Sequence, residues 1–107
     1  MEELSPYAKA VIELVRQIPE GKVMTYGAIA YHLQAGQGSS SARMVGQVMS
    51  RYGWMSPWWR VVRADGTLPR HLRADALANY ETEATPLYWR QPTKVDLRAA
   101  LWEPTDA

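Results

Sequence analysis

The chain has 107 residues, of which 47% are hydrophobic and 21% charged, a composition typical of a globular protein, and we expect residues 1–107 to form a single domain. It contains no cysteine, which excludes disulfides, thiolate metal sites and cysteine nucleophiles. Neither of its two histidines lies in a cluster of acidic residues, so we predict neither a metal nor a cofactor. No apolar run reaches the roughly 20 residues that span a bilayer, and the acidic N-terminus is unlike a secretory signal. We therefore expect a soluble intracellular protein with no membrane partner.

The first helix is marked by signals at both of its ends. Ser5 is suited to the N-cap position and Pro6 to the first helical position. Apolar residues then recur at helical spacing, and Pro19 begins a turn that ends the helix. The short segment 22–24 that follows is predicted to be extended.

Two further helices are predicted before residue 52. Thr25 is suited to cap a second helix from about Tyr26 to Ala35. A loop rich in glycine and serine follows, and Ser40 or Ser41 is suited to cap a third helix over about residues 42–51.

The third helix has two unlike faces. The apolar residues are Val45, Val48, Met49 and Tyr52, and those on the opposite face are Arg43, Gly46, Gln47 and Ser50. A short connection followed by a helix with a small polar outer face is what a helix-turn-helix requires, because bulky outer residues would hold the backbone away from DNA. The alternative is a plain helical hairpin.

A hairpin signal and a fourth helix follow. Asp65-Gly66 lies between short extended runs and predicts a small two-stranded wing after the third helix. Apolar residues at helical spacing between Leu72 and Tyr80 predict a fourth helix, and residues 87–107 are predicted to be irregular or short-stranded. The sequence therefore predicts an α+β, mostly helical, winged helix-turn-helix fold.

Positive charge is concentrated in the middle of the chain, although the net charge is only +1. Residues 43–73 carry six arginines against one aspartate, whereas residues 1–42 and 74–107 each carry a net negative charge. Arginine forms two-point hydrogen bonds with phosphate and stacks on bases. Such a segment is typical of a nucleic-acid-binding surface, and from charge alone a solvated arginine-rich face is an equal alternative.

Three stretches of the chain form an ordered set of motifs: Ile18–Ala30, Ala42–Gly46 and Pro57–Val62. In this order they resemble the DNA-binding domain of the O6-alkylguanine-DNA alkyltransferases. The family's third stretch reads Pro-Cys-His-Arg-Val, in which the cysteine takes the alkyl group, and here Trp58 stands at the cysteine position. An indole is no substitute for a thiolate nucleophile. The chain therefore resembles the alkyltransferase-like proteins, as does its tail from Val95 to Trp102.

The resemblance implies a protein that is not an enzyme. It would bind O6-alkylguanine in duplex DNA by nucleotide flipping, leave the alkyl group in place and mark the lesion for nucleotide excision repair proteins. We expect it to act as a monomer, in the cytoplasm or nucleoid of a bacterium or in a eukaryotic nucleus. Two departures from the subfamily are Trp59, where a histidine is usual, and Ala100, where a tyrosine is frequent.

The resemblance also assigns residues to DNA binding. Arg43 would enter the duplex and fill the space of the extruded nucleotide, and Tyr26 would crowd its 3′ phosphate. A phosphate contact or surface ion pair is the alternative for Arg43, and simple packing is the alternative for Tyr26. The full predicted DNA-binding set is Thr25, Tyr26, Ala42, Arg43, Gly46 and Gln47.

A pocket for the alkylated base is expected beside this surface. Trp58 would form its wall, because an indole offers apolar and π surface to a purine, and Arg70 would face the base or contact phosphate. For Trp59, packing beneath the pocket loop is slightly favoured over lining it. Arg60 is expected to hold the loop, and the other tryptophans, Trp54, Trp89 and Trp102, are assigned to packing. The full predicted pocket set is Tyr26, Arg43, Pro57, Trp58, Trp59 and Arg70.

Three other functions remain open from the sequence alone. The main alternative is a winged-helix regulator that binds a specific unmodified DNA sequence and forms dimers. An enzyme of another repair chemistry is disfavoured because no nucleophile–base pair is evident. A protein-interaction module that has lost DNA binding is disfavoured by the arginine-rich segment.

Overall fold

In the computed structural model, which describes residues 3–104, the chain is mostly helical. The helices are α1 (Pro6–Gln17), α2 (Tyr26–Gln37), α3 (Ala42–Tyr52), α4 (Arg73–Glu83) and the short α5 (Leu97–Ala100). The strands are β1 (Met24–Thr25), β2 (Val61–Val62), β3 (Leu87–Trp89) and β4 (Lys94–Val95). Three 3-10 turns cover Gly53–Met55, Trp58–Arg60 and Arg70–Leu72. The predicted α+β, mostly helical class with a helix-turn-helix is confirmed.

Hydroxyl side chains begin the first three helices. The Oγ of Ser5 accepts a hydrogen bond from the backbone N–H of Ala8 at 3.1 Å, and Thr25 and Ser41 cap α2 and α3 in the same way. Each cap satisfies one of the amides that a helix start leaves unpaired. At the other end of α1, Ile18 is extended, because the residue before a proline avoids the helical conformation.

The parallel pair β1–β2 separates two hydrophobic clusters. Met24 lies beside Val61 and Thr25 beside Val62. Successive strand residues point to opposite faces, so Met24 and Val61 join the cluster of α1, α2 and α3, whereas Val62 joins the one formed by α4 and the tail. Helix α3 packs on both α1 and α2. The helix-turn-helix thus packs on the core through its inner residues, and its outer face takes no part in that packing.

The predicted position of the hairpin wing was wrong. Asp65-Gly66 does form a turn, closed by a hydrogen bond from the N–H of Arg63 to the carbonyl of Thr67 at 2.8 Å, but its flanks do not form a strand pair. The strand before the turn pairs with β1 instead, and Pro69 shortly after it has no N–H to extend a ladder. The turn packs against β4, since the N–H of Val95 donates to the carbonyl of Gly66 at 2.9 Å.

The last third of the chain is more ordered than predicted. Helix α4 forms as expected, and the tail contains a short antiparallel pair, β3–β4, in agreement with the short-stranded alternative, whereas the helix α5 was not predicted. Asp96 caps α5 by accepting from the N–H of Arg98 at 3.1 Å. Within residues 3–104 we find no helix that combines the length and apolar character needed to cross a membrane.

Candidate nucleic-acid interface

The outer face of α3 carries polar side chains around a glycine. Arg43, Gln47 and Ser50 are exposed on it, while Val45 and Val48 are buried behind it, as the spacing predicted. A Cβ added at Gly46 would meet no atom within 4 Å. No packing inside the chain therefore requires glycine at this position, and its small size leaves the face open to close approach by another molecule.

Five of the six arginines of the middle segment divide into two groups, and the guanidinium of the sixth, Arg51, lies 5.8 Å from the ring centroid of Tyr52. Arg60 and Arg73 are bound within the fold, and the Nε of Arg73 donates to the carbonyl of Leu68 at 2.8 Å. Arg43, Arg63 and Arg70 are exposed, and within the described part of the chain no hydrogen bond or ion pair occupies their guanidinium groups. These three side chains are available to a phosphate or a base.

Tyr26 lies at the start of α2, half-buried against the first hydrophobic cluster. Burial raises the pKa of its hydroxyl, and the nearby positive charge of Arg63 lowers it by a smaller amount. The phenol consequently stays neutral well above pH 7 and remains a hydrogen-bond donor. A neutral donor beside an exposed arginine suits a phosphate oxygen, since a phenolate would repel it.

A cleft of about 290 Å³ opens beside this surface. It is lined by Tyr26, Gly46, Met49, Ser50, Gly53, Trp54, Trp58, Leu68, Pro69, His71 and Leu72. The structure therefore brings together three of the predicted site residues, namely Tyr26 and Gly46 from the two helices of the helix-turn-helix and Trp58 from the following turn. Most of the lining is apolar, which suits a flat, partly apolar ligand.

Several predicted pocket residues lie outside this lining. Arg43 is exposed three residues before Gly46, Arg70 is exposed between Pro69 and His71, and Pro57 is half-buried next to Trp58. His71 lines the cleft, whereas the adjacent Arg70 does not. Both belong to a 3-10 turn, in which one residue advances the side-chain direction by about 120°. Adjacent residues of such a turn therefore face different ways.

Trp58 is half-buried and packs against the second hydrophobic cluster. Its ring makes an edge-to-face contact with Trp59, with 5.6 Å between the ring centroids and 85° between the planes. Its backbone N–H donates to the carbonyl of Ser56 at 2.7 Å. These contacts hold the side chain in place before any ligand enters.

Trp59 is directed to Glu83 and not to the cleft. Its indole N–H donates to the Oε1 of Glu83 at 2.9 Å. An indole N–H needs a partner when it is buried, and the carboxylate at the end of α4 supplies one. The hydroxyl of Tyr80 also donates to the backbone carbonyl of Trp59. The structure thus agrees with packing beneath the loop for this residue.

Glu83 joins the Trp58–Arg60 turn to the turn after α1. Both of its oxygens accept from the Nε of Arg60 at 3.1 Å, and Oε2 accepts from the backbone N–H of Gly21 at 3.1 Å. Arg60 also donates to the carbonyl of Ile18 at 3.0 Å, so it holds the loop as expected.

Burial alone would raise the pKa of Glu83, but these bonds and the one from Trp59 lower it below its ordinary value. Sequence reasoning missed Glu83, since nothing in its local spacing indicates these partners.

Two tryptophans assigned to packing are exposed instead. Trp54 is 77% exposed and Trp89 is 57% exposed, whereas Trp102 packs on the first cluster as predicted.

Within residues 3–104 no group of three or more histidine, aspartate or glutamate side chains is placed to hold a metal ion.

Residues 6–83 match the family described as the DNA-binding domain of 6-O-methylguanine DNA methyltransferase. The chain belongs to this family. A protein of Vibrio parahaemolyticus named DNA base-flipping protein is 32% identical over 96 residues, which span 88% of this chain and 93% of that protein. The DNA base-flipping protein of Escherichia coli K12 is 39% identical over 70 residues, 64% of this chain and 52% of that protein.

Two solved structures share the fold. One is Atl1 of S. pombe in complex with damaged DNA containing O6-carboxymethylguanine, with 29% identity and a TM-score of 0.76. The other is the S. pombe alkyltransferase-like protein ATL in complex with DNA, with 28% identity and a TM-score of 0.75. Each match covers 96% of this chain and all of the other. Together with Trp58 at the cysteine position, these likenesses confirm the resemblance to the alkyltransferase-like proteins.

Proposed function

We propose that this alkyltransferase-like chain binds O6-alkylguanine in duplex DNA, holds the base outside the stack and leaves the alkyl group in place. The observation that carries the proposal is the cleft beside α3, where a tryptophan occupies the position of the family's nucleophile. The cleft provides an apolar and aromatic surface for a base but no thiolate to accept an alkyl group. The similarity to the base-flipping relatives and to the lesion-bound Atl1 structure supports it.

Docking on DNA would begin with the exposed cations. Arg43, Arg63 and Arg70 have no partner of their own in the described part of the chain, so contact with phosphates breaks no internal bond. Neutralising phosphates releases counterions, which supplies most of the sequence-independent affinity. The flat outer face at Ala42, Gly46 and Gln47 would then approach the groove.

Holding a base outside the duplex costs a few kcal/mol. Arg43, exposed at the N-terminal end of α3, would offset part of this cost by filling the vacated space with a planar cation that stacks and donates hydrogen bonds. Tyr26 lines the cleft at the start of α2 and, with Thr25, would contact the phosphate of the displaced nucleotide. The base itself would rest against Trp58.

The proposal excludes alkyl transfer by this chain. The indole of Trp58 is not a nucleophile of the thiolate class. Ser50 and His71 also line the cleft, but within the described residues no hydrogen bond connects a hydroxyl group to either histidine. Because the lesion stays in the DNA, other proteins must remove it, and we propose nucleotide excision repair proteins as those partners, with the chain acting as a monomer.

We expect the chain to bind a duplex with one O6-methylguanine more tightly than the same duplex with guanine, and to leave the lesion unchanged. Fluorescence anisotropy titrations of the two duplexes measure the preference, and mass spectrometry of DNA and protein after incubation tests the chemistry. Equal affinities would contradict lesion recognition. Loss of the methyl group from the DNA, or its gain by the protein, would contradict the non-enzymatic part.

A further inference from the structure

Trp54 combines two properties that packing does not explain. Its side chain is 77% exposed, yet it lines the cleft together with Trp58. Covering a large exposed apolar side chain with a ligand removes apolar surface from water, which favours binding. An apolar side chain that is exposed and also lines a concave site is a candidate ligand contact.

The backbone on both sides of Trp54 is held firmly. The N–H and the hydroxyl of Ser56 both donate to the carbonyl of Gly53, at 2.9 and 2.8 Å, and Arg16 donates twice to the carbonyl of Met55, at 2.9 and 3.2 Å. Gly53 itself is buried, and a Cβ added there would lie 3.2 Å from the Cε of Met49. The exposure of Trp54 therefore does not come from a loose loop, and little backbone order is lost when a ligand contacts it.

The size of the cleft limits what it encloses. A volume of about 290 Å³ lies at the small end of ligand pockets, which begin near about 300 Å³. A base with a methyl group would make a modest demand on that space, whereas a larger O6 substituent would have to extend beyond it, toward the rim. The exposed indole of Trp54 is the aromatic surface that such a substituent would meet.

We infer that Trp54 is a specificity-determining residue that favours aromatic and other bulky O6 substituents over methyl. The inference rests on the proposed function, because it assigns a second aromatic contact to the same site. Trp58 contacts the base that every lesion shares, whereas Trp54 contacts only a substituent long enough to reach the rim.

The test compares Trp54→Ala with the unaltered chain on three duplexes that differ at one base: guanine, O6-methylguanine and O6-benzylguanine. The variant should lose roughly 3- to 10-fold in affinity for the benzyl duplex, the range expected for one aromatic contact. Its affinity for the other two duplexes should change by less than about 2-fold. Trp54→Phe should recover part of the loss. Trp89→Ala is the matched control, since Trp89 is also exposed but does not line the cleft.

The outcomes separate this inference from the proposed function. If the unaltered chain shows no preference for either lesion, the proposed function fails. If that preference is present and Trp54→Ala keeps an undiminished affinity for the benzyl duplex, only the role of Trp54 fails. An equal loss on all three duplexes would also overturn it, because it would make Trp54 a general DNA contact. A thermal melt should show no more than a small change, since truncating an exposed side chain creates no cavity.

Discussion

Replacing Trp58 with alanine should remove most of the preference for alkylated over normal guanine. Lost stacking between a base and an aromatic ring is worth about 1–3 kcal/mol, which corresponds to a loss of roughly 5- to 150-fold in discrimination. Affinity for the normal duplex should change little, because it depends mainly on phosphate contacts by exposed arginines. Titrations of the paired duplexes measure both quantities.

Stability must be measured in the same variant, because Trp58 packs on the second hydrophobic cluster and on Trp59. Its side chain is half-buried, so truncation should cost about 1–3 kcal/mol of unfolding free energy, less than for a fully buried tryptophan. Trp58→Phe keeps an aromatic ring and should retain part of the lesion preference. A folded Trp58→Ala variant with its full preference for the lesion would show that Trp58 does not contact the base.

Replacing Glu83 with glutamine should produce the largest loss of stability, about 3 kcal/mol at pH 7. The side chains of Arg60 and Glu83 are only 12% and 6% exposed, and removing one partner of a buried pair leaves an uncompensated charge. Glu81→Gln is a matched control on the same helix, because Glu81 pairs with Arg90 at the surface, where their side chains are 41% and 68% exposed. That change should cost less than about 0.5 kcal/mol, and urea unfolding measures both.

The same variant has a predicted pH dependence. Because the pKa of Glu83 is lowered in the folded chain, the unfolded chain takes up the proton first as the pH falls. The stabilisation is therefore complete at neutral pH, begins to decline near the ordinary glutamate pKa of about 4.3, and is lost as the pH falls through the folded-state pKa. The stability difference between the unaltered chain and Glu83→Gln should shrink over that interval. A difference that stays constant down to pH 3 would contradict the ion pair.

The parts of the fold set by local chemistry were predictable. Ser5, Thr25 and Ser41 cap helices because their hydroxyls lie within three residues of the amides they serve. The partner of β2 was not predictable in this way, since Val61 pairs with Met24, far back in the chain, and not across the adjacent Asp-Gly turn. Pairing over such a distance is decided by which faces of the two strands can be buried together.

The site was predictable to a similar extent. The resemblance selected Tyr26 and Trp58, which both line the cleft. It gave no sign that Trp54 also lines the cleft, because a tryptophan in a sequence looks the same whether it is buried or exposed. Arg70 lies outside the cleft lining while its neighbour His71 lies in it, since a shift of one residue in a 3-10 turn changes the direction of a side chain.

Under the proposed function, the alkylated base leaves the stack and enters the cleft. A crystal structure of the chain bound to a duplex with one O6-methylguanine tests it most directly. We predict that the methylated base lies in the cleft against Trp58, with its methyl group intact and the guanidinium of Arg43 in the vacated space. A methylated base that remains stacked in the duplex, with the chain bound only to phosphates, would contradict the account.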